Sequence, residues 1–216
     1  MEAFTIHRGL AAPLDTANVD TDQIIAKQFL KSIQRTGFGE HLFYDWRFGA
    51  GGKPVAGFPL NQPRFQKASI LVARNNFGCG SSREHAVWAV QQYGFKAVIA
   101  PRKGSGDNLI PAFADIFRSN SAKNGLLTVE LSEAEVDEIF QAIEKNAGLE
   151  ITVDLKNQKV TLHASKPRDF HFEINAGVKD RLLHGLDDIG ITLEHQPAIT
   201  AFEKTYDDQL SKRTKV

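Results

Sequence analysis

The segment Asn76-Phe77-Gly78-Cys79-Gly80-Ser81-Ser82-Arg83-Glu84-His85 holds the densest group of chemically useful side chains in the chain. Two glycines permit a tight backbone reversal, and two hydroxyls and a guanidinium follow at once. Ala86, Ala89 and Val90 then recur at helical spacing, and Gly94 suits a C-terminal stop, so Arg83 to Tyr93 is predicted to be a helix. Ser81 and Ser82 thereby fall at a helix N-terminus, where unpaired N–H groups and the positive dipole end favour a carboxylate or phosphate. Arg83 adds a forked donor matched to a carboxylate. The same spacing is equally met by a plainer arrangement in which Ser81 or Ser82 only caps the helix and Arg83 is solvated. The stretch is not a P-loop, because the Lys of Gly-Lys-Ser/Thr is missing, and it is not a Gly-x-Ser-x-Gly elbow. His85, inside the helix, is expected to pack rather than to catalyse. Cys79 is the only cysteine, so no cysteine-based metal site can close within the chain, and Cys79 is expected to be a small buried structural thiol.

The elements that must position this segment are legible on either side of it. Ala68 to Arg74 and Lys96 to Ala100 are compact apolar runs bounded by turn residues, and both are predicted to be buried strands. Strand, Gly-rich loop, helix and strand in that order imply parallel pairing with a crossover helix. Upstream, Phe4 to Leu10 is predicted to be a strand, followed by a polar loop through Pro13, Asp15, Asn18, Asp20 and Asp22 and by a helical turn over Gln28 to Ile33. Downstream, Ser132 and Glu135 form a capping-box pattern, and Val136, Ile139, Phe140 and Ile143 repeat at i, i+3, i+4 and i+7, giving a helix from Glu133 to about Asn146. Ile151, Val153 and Leu155 alternate with polar residues, as do Val160 and Leu162, which predicts a half-buried hairpin. Phe170, Phe172 and Ile174 add an alternating strand, and Val178 to His184 and Pro197 to Tyr206 are predicted helices. The expected organisation is one mixed α/β domain over residues 1–206, with Asp45 to Pro63 the one place a boundary could fall, and a frayed polar tail over residues 207–216.

Composition excludes several classes of function. The chain of 216 residues carries 26 Lys and Arg against 26 Asp and Glu, a net charge of zero, which argues against nucleic acid as the main partner. With 42% hydrophobic residues it is globular rather than disordered. The single cysteine rules out an internal disulfide, and no leader pattern or membrane-length apolar run is present, so a cytoplasmic location away from membranes is expected.

Gly78-Cys79-Gly80-Ser81-Ser82-Arg83-Glu84-His85 resembles the signature of the swivelling domain of the aconitase superfamily. The chain as a whole is similar to the small subunits of bacterial 3-isopropylmalate dehydratases. Asn18 to Ile25, Arg35 to Gly39, His41 to Phe43, Asp45 to Arg47, Phe113 to Phe117 and Asn124 to Leu127 follow in that family's order, so the likeness runs from about Phe4 to Tyr206.

The resemblance implies a swivelling β/β/α fold with a mixed, partly parallel sheet, capping a large subunit that carries the [4Fe-4S] cluster. It implies a hydro-lyase of leucine biosynthesis that dehydrates and rehydrates a 2-isopropylmalate-type hydroxy-diacid and is active only with that large subunit. Ser81 then corresponds to the catalytic base, and Ser82 and Arg83 to substrate-binding positions. Asp22 and Arg35 correspond to upstream active-site positions, and Phe29, Leu30 and Lys31 begin the stretch that meets the distinguishing substituent. Without the resemblance, Asp22 is equally a turn or capping carboxylate.

The chain departs from the family pattern in four places. Arg102 to Pro111 is interposed after Ala100-Pro101, with the composition of a mobile loop, and Ala112 stands where the family has serine. Ala26 and Thr128 replace usual prolines. These departures leave room for a hydratase of a related alkylmalate, of citraconate or of homoaconitate, or for a non-catalytic partner-binding paralogue. A stand-alone serine hydrolase is the remaining class, although no His/Asp pair lies near Ser81 in sequence.

Overall fold

The computed structural model describes residues 1–31 and 35–213. In chain order the elements are β1 (Ile6–Leu14), α1 (Thr21–Ile24), α2 (Tyr44–Arg47), β2 (Ile70–Ala73), α3 (Glu84–Tyr93), β3 (Ala97–Arg102), α4 (Asp115–Asn124), β4 (Leu127–Ser132) and α5 (Glu133–Lys145). They are followed by β5 (Glu150–Asp154), β6 (Lys159–Leu162), β7 (Arg168–His171), α6 (Ala176–His184), α7 (Asp188–Leu193) and α8 (Gln196–Arg213). Among the described residues, seven strands form one mixed sheet in the order β4-β3-β2-β1-β5-β6-β7. The run from β4 to β1 is parallel, and the run from β1 to β7 is antiparallel.

β1 joins the two halves by dividing its length. Ile6 to Leu10 pair antiparallel with Asp154 to Glu150, and Ala11 to Leu14 pair parallel with Ile70 to Ala73. The strand passes straight through Pro13, where a loop was expected. Ala11 still donates its N–H to Leu149 on the β5 side (3.0 Å), but two residues later that neighbour has left, so the nitrogen of Pro13 faces no ladder and needs no hydrogen. Pro101 sits in β3 for the same reason, because β2 pairing ends at Ile99.

β2 is buried at all four residues, as a strand covered on both faces must be. α3 and α4, the crossovers to β3 and β4, pack side by side. α5 lies against β1 to β4 with Val136, Ile139 and Ile143 buried, and it begins at the expected capping box, Ser132 Oγ accepting from Glu135 N. The hairpin β5–β6 forms as predicted, whereas the strand expected over Phe170, Phe172 and Ile174 is shifted: β7 runs from Arg168 to His171, so Phe170 lies in it and Phe172 and Ile174 follow it. α4 and β4 were not anticipated. β4 alternates buried Leu127, Val129 and Leu131 with half-buried neighbours, a signal present in the sequence. α4 is polar and buries only Phe117, Ser121 and Ala122, so its periodicity is faint.

Two expectations need correction at the ends of elements. Arg102 to Pro111 does not form an irregular loop: Lys103 and Ile110 exchange both backbone hydrogen bonds (2.9 and 2.7 Å) around a 3-10 turn at Gly106–Asn108, making a short hairpin. Gly104, at φ +82, permits that reversal, since a Cβ there would press on the Asn108 carbonyl. At the C-terminus the helix expected to stop at Tyr206 continues to Arg213, and α7 and α8 leave Ile189, Leu193, Phe202 and Tyr206 exposed. The end of the expected turn at Ile33, and residues 214–216 of the expected tail, lie outside the described residues.

Candidate active site

The segment after β2 is laced on both sides before it reaches the serines. On one side Asn76 N donates to Pro111 O (2.8 Å), Phe77 N to Ala112 O (2.9 Å), and Ala114 N back to Phe77 O (3.0 Å). On the other, Gly78 N donates to Val19 O (2.7 Å) and Thr21 N to Cys79 O (2.9 Å). Phe77 is fully buried and meets Phe117 edge-on at 5.2 Å. Gly78 adopts φ +77 directly against Phe117, which is 1% exposed. This lacing fixes the backbone while leaving Ser81 and Ser82 exposed at the carboxyl edge of the parallel strands.

Neither serine caps the helix. The N-cap of α3 is Arg83, in an extended conformation and without a side-chain cap, so the plainer arrangement considered for Ser81 and Ser82 does not occur. Ala86 N is taken by the Arg83 carbonyl (3.1 Å), and the N–H groups of Glu84 and His85, without a side-chain cap, remain available to an anion. Thr21, 1% exposed, donates its hydroxyl to the Ser81 carbonyl (2.8 Å) and ties the serine to α1.

Arg83 turns its guanidinium against Asp22, Nη1 on Oδ1, with the arginine side chain 15% exposed. Lys27 Nζ lies 3.6 Å from the other oxygen of Asp22. The capping carboxylate of α1 is Asp20, whose Oδ1 accepts from Gln23 N (2.8 Å) while Gln23 Oε1 accepts from Asp20 N (2.8 Å). Asp22 is thus left for Arg83. Asp22 balances the charge of Arg83 without a hydrogen bond to its guanidinium, whose five N–H donors suit a second carboxylate.

The structure brings together Ser81, Ser82, Arg83 and Asp22. Arg35 is exposed and its guanidinium lies over Trp88, 5.7 Å from the ring centroid, further along α3 rather than on the Asp22–Arg83 pair. Phe29 stacks on His41 with ring centroids 3.7 Å apart and lines a cavity of about 310 Å³ with Gln28, Thr36, Gly37, Phe38 and His41. Leu30, like Phe29, is partly buried against the core. His85 packs edge-on to Phe38 at 5.1 Å, as a packing residue would.

Cys79 corrects an expectation: it is only half-buried, because the loop that carries it turns outward after Gly78. Burial, and then the Asp20 charge, push its thiol pKa upward, so it stays protonated at neutral pH and is a poor nucleophile. Thr21, Lys27 and the Asp20–Gln23 cap were not singled out from the sequence. The Asp-x-x-Gln spacing could have revealed the cap, but the contact of Thr21 with a residue 60 positions away has no local signal. Among the described residues no group of three or more His, Cys, Asp and Glu side chains could hold a metal ion, and no helix is long and apolar enough to cross a membrane.

Comparison with known proteins gives a consistent set of relatives. The aconitase C-terminal domain family matches residues 1–134, LeuD_N matches residues 137–176, and the C-terminal domain of the 3-isopropylmalate dehydratase small subunit matches residues 188–209. A 3-isopropylmalate dehydratase small subunit from Desulforapulum autotrophicum is 55% identical over 203 residues, covering 94% of this chain and 95% of the relative. A crystal structure of 3-isopropylmalate dehydratase from Methanocaldococcus jannaschii superposes with a TM-score of 0.63 at 27% identity, covering 92% of this chain and 99% of that one.

Proposed function

The chain belongs to the family of 3-isopropylmalate dehydratase small subunits, and on that premise we propose that it supplies the proton-transfer and carboxylate-binding half of a two-chain hydro-lyase in leucine biosynthesis. The observation that carries this reading is the exposed Ser81 at the start of α3, beside a guanidinium that Asp22 holds in place. Ser81 Oγ takes the proton from the carbon next to a substrate carboxylate as the hydroxyl leaves the neighbouring carbon. Returning the proton to the alkene while water adds at the other carbon completes the isomerisation. Ser82 and Arg83 bind carboxylate oxygens, Asp22 keeps Arg83 oriented, Arg35 serves as a further substrate-binding position, and Phe29 and Leu30 meet the alkyl substituent.

A serine alkoxide is too basic to persist in water. The uncapped N–H groups of α3 and the positive end of its dipole are the stabilising donors available to it. One cysteine cannot ligate a [4Fe-4S] cluster, so this chain does not fit that group by itself, and we place the cluster on the large subunit, where it would supply the Lewis acid for the departing hydroxyl. Exposure of Ser81 and Ser82 suits a site completed by that partner in the cytoplasm.

The test is anaerobic reconstitution with the large subunit from the same genome, assayed on a panel of alkylmalates and citraconate. The chain alone is expected to be colourless and inert, and the complex active with 2-isopropylmalate. Turnover by the iron-free chain alone would overturn the assignment. A finer check is Arg83→Lys, which keeps the charge and loses the planar fork. We expect kcat/KM to fall at least ~10-fold, about 1.4 kcal/mol of transition-state binding, and an unchanged value would remove Arg83 from the substrate.

A further inference from the structure

The hairpin Arg102 to Pro111 adds nothing to the core: all ten residues are exposed. Yet two of them, Leu109 at 49% and Ile110 at 40% exposure, are large aliphatic side chains held toward water. The hairpin is nevertheless well anchored. Its stem is closed by the paired Lys103 and Ile110, and its root by ion pairs from Arg102 to Glu130 (3.7 Å) and from Lys103 to Glu133 (3.1 Å). Apolar side chains on a stiff exposed stem are preorganised for a partner, because little entropy remains to be lost on docking.

Its position indicates which partner. β2 and β3 are parallel neighbours, so the hairpin and the Ser81 segment leave the same carboxyl edge of the sheet. The two are joined directly, Asn76 N donating to Pro111 O (2.8 Å) only five residues before Ser81. Ile110 and Leu109 lie one and two residues from Pro111, within about 7 Å of chain from that edge. Any chain that closes over Ser81 therefore comes within reach of Leu109 and Ile110, whereas a second copy of this chain seated there would obstruct the site.

We propose that the Arg102–Pro111 hairpin is a docking arm for the large subunit, extending the interface that closes over Ser81 and placing Leu109 and Ile110 in an apolar recess of that partner. The inference rests on the reading of the chain as the small subunit.

The test compares wild type with the double variant Leu109→Ser, Ile110→Thr, and with a second variant in which Gly104–Leu109 is replaced by a two-residue Asn-Gly turn across the Lys103–Ile110 pair. Both should melt at the wild-type temperature. Affinity for the purified, cluster-loaded large subunit, measured by titrating activity, should fall at least tenfold in each, with kcat retained at saturating large subunit. Wild-type affinity in both variants would overturn the proposal, and so would a change confined to self-association of this chain, which would make a second copy the occupant. Ser81→Ala, read by its competition with the wild-type chain for the large subunit, separates the two readings, since it should compete with wild-type affinity while giving no turnover of its own. Failure of the wild-type chain to bind the large subunit would overturn the small-subunit reading as well as the docking arm.

Discussion

Ser81→Ala is expected to lower kcat of the reconstituted enzyme by about 10³-fold, within the range that a positioned proton-transfer group contributes and equivalent to about 4 kcal/mol. The fold should not register the change. Ser81 is exposed and does not cap α3, and the hydrogen bond that ties it to Thr21 uses its backbone carbonyl, which alanine keeps. A surface change of this kind shifts stability by about 0.5 kcal/mol or less. Melting temperature and large-subunit affinity should therefore match wild type while turnover disappears. Near wild-type kcat would remove Ser81 from proton transfer and return the site to a carboxylate-binding role alone.

Gly78→Ala should have the largest effect on stability. The residue sits at φ +77, where an L side chain costs about 1–2 kcal/mol, and its new Cβ would collide with Cβ and the ring of Phe117. Phe117 cannot retreat, since it is 1% exposed and packs against both Phe77 (5.2 Å) and Phe113 (6.4 Å). Overpacking of such a cluster adds about 1–3 kcal/mol, so we expect a total near 3 kcal/mol and a fall in Tm of roughly 6–12 °C for a chain of this size. Because the collision lies three residues before Ser81, the chain that still folds should also lose activity. A Tm within about 1 °C of wild type would mean that the loop does not press on Phe117 as described.

These two substitutions mark the boundary between what was legible and what was not. Glycines, hydroxyls and a guanidinium ahead of Ala86, Ala89 and Val90 identify a helix N-terminus by local rules, and α3 does run from Glu84 to Tyr93. Local rules could not decide which residue caps it, because Ser81, Ser82 and Arg83 all stand within a turn of the helix. The structure assigns the cap to Arg83, since Thr21 and Val19 hold the preceding backbone in place from 60 residues away. Asp22 shows the same limit. Its sequence neighbours suit a cap, but Asp20 takes that role with Gln23, and Asp22 pairs with Arg83 instead.

By itself the sequence determined the mixed α/β class, the β2–α3–β3 crossover, the capping box at Ser132 and the β5–β6 hairpin, because each depends on periodicities and caps within a few residues. Tertiary structure decided the division of β1 between parallel and antiparallel partners, the passage of strands through Pro13 and Pro101, and the pairing that turns Arg102 to Pro111 into a hairpin. Those outcomes depend on which neighbour lies alongside a given nitrogen or carbonyl. The order β4-β3-β2-β1-β5-β6-β7 places neighbours that are distant in the chain, and no local pattern records it. The site follows the same division: the side chains of residues 78–83 are written consecutively, but their meeting with Asp22 exists only once the Val19–Thr21 backbone is laced to the loop after β2.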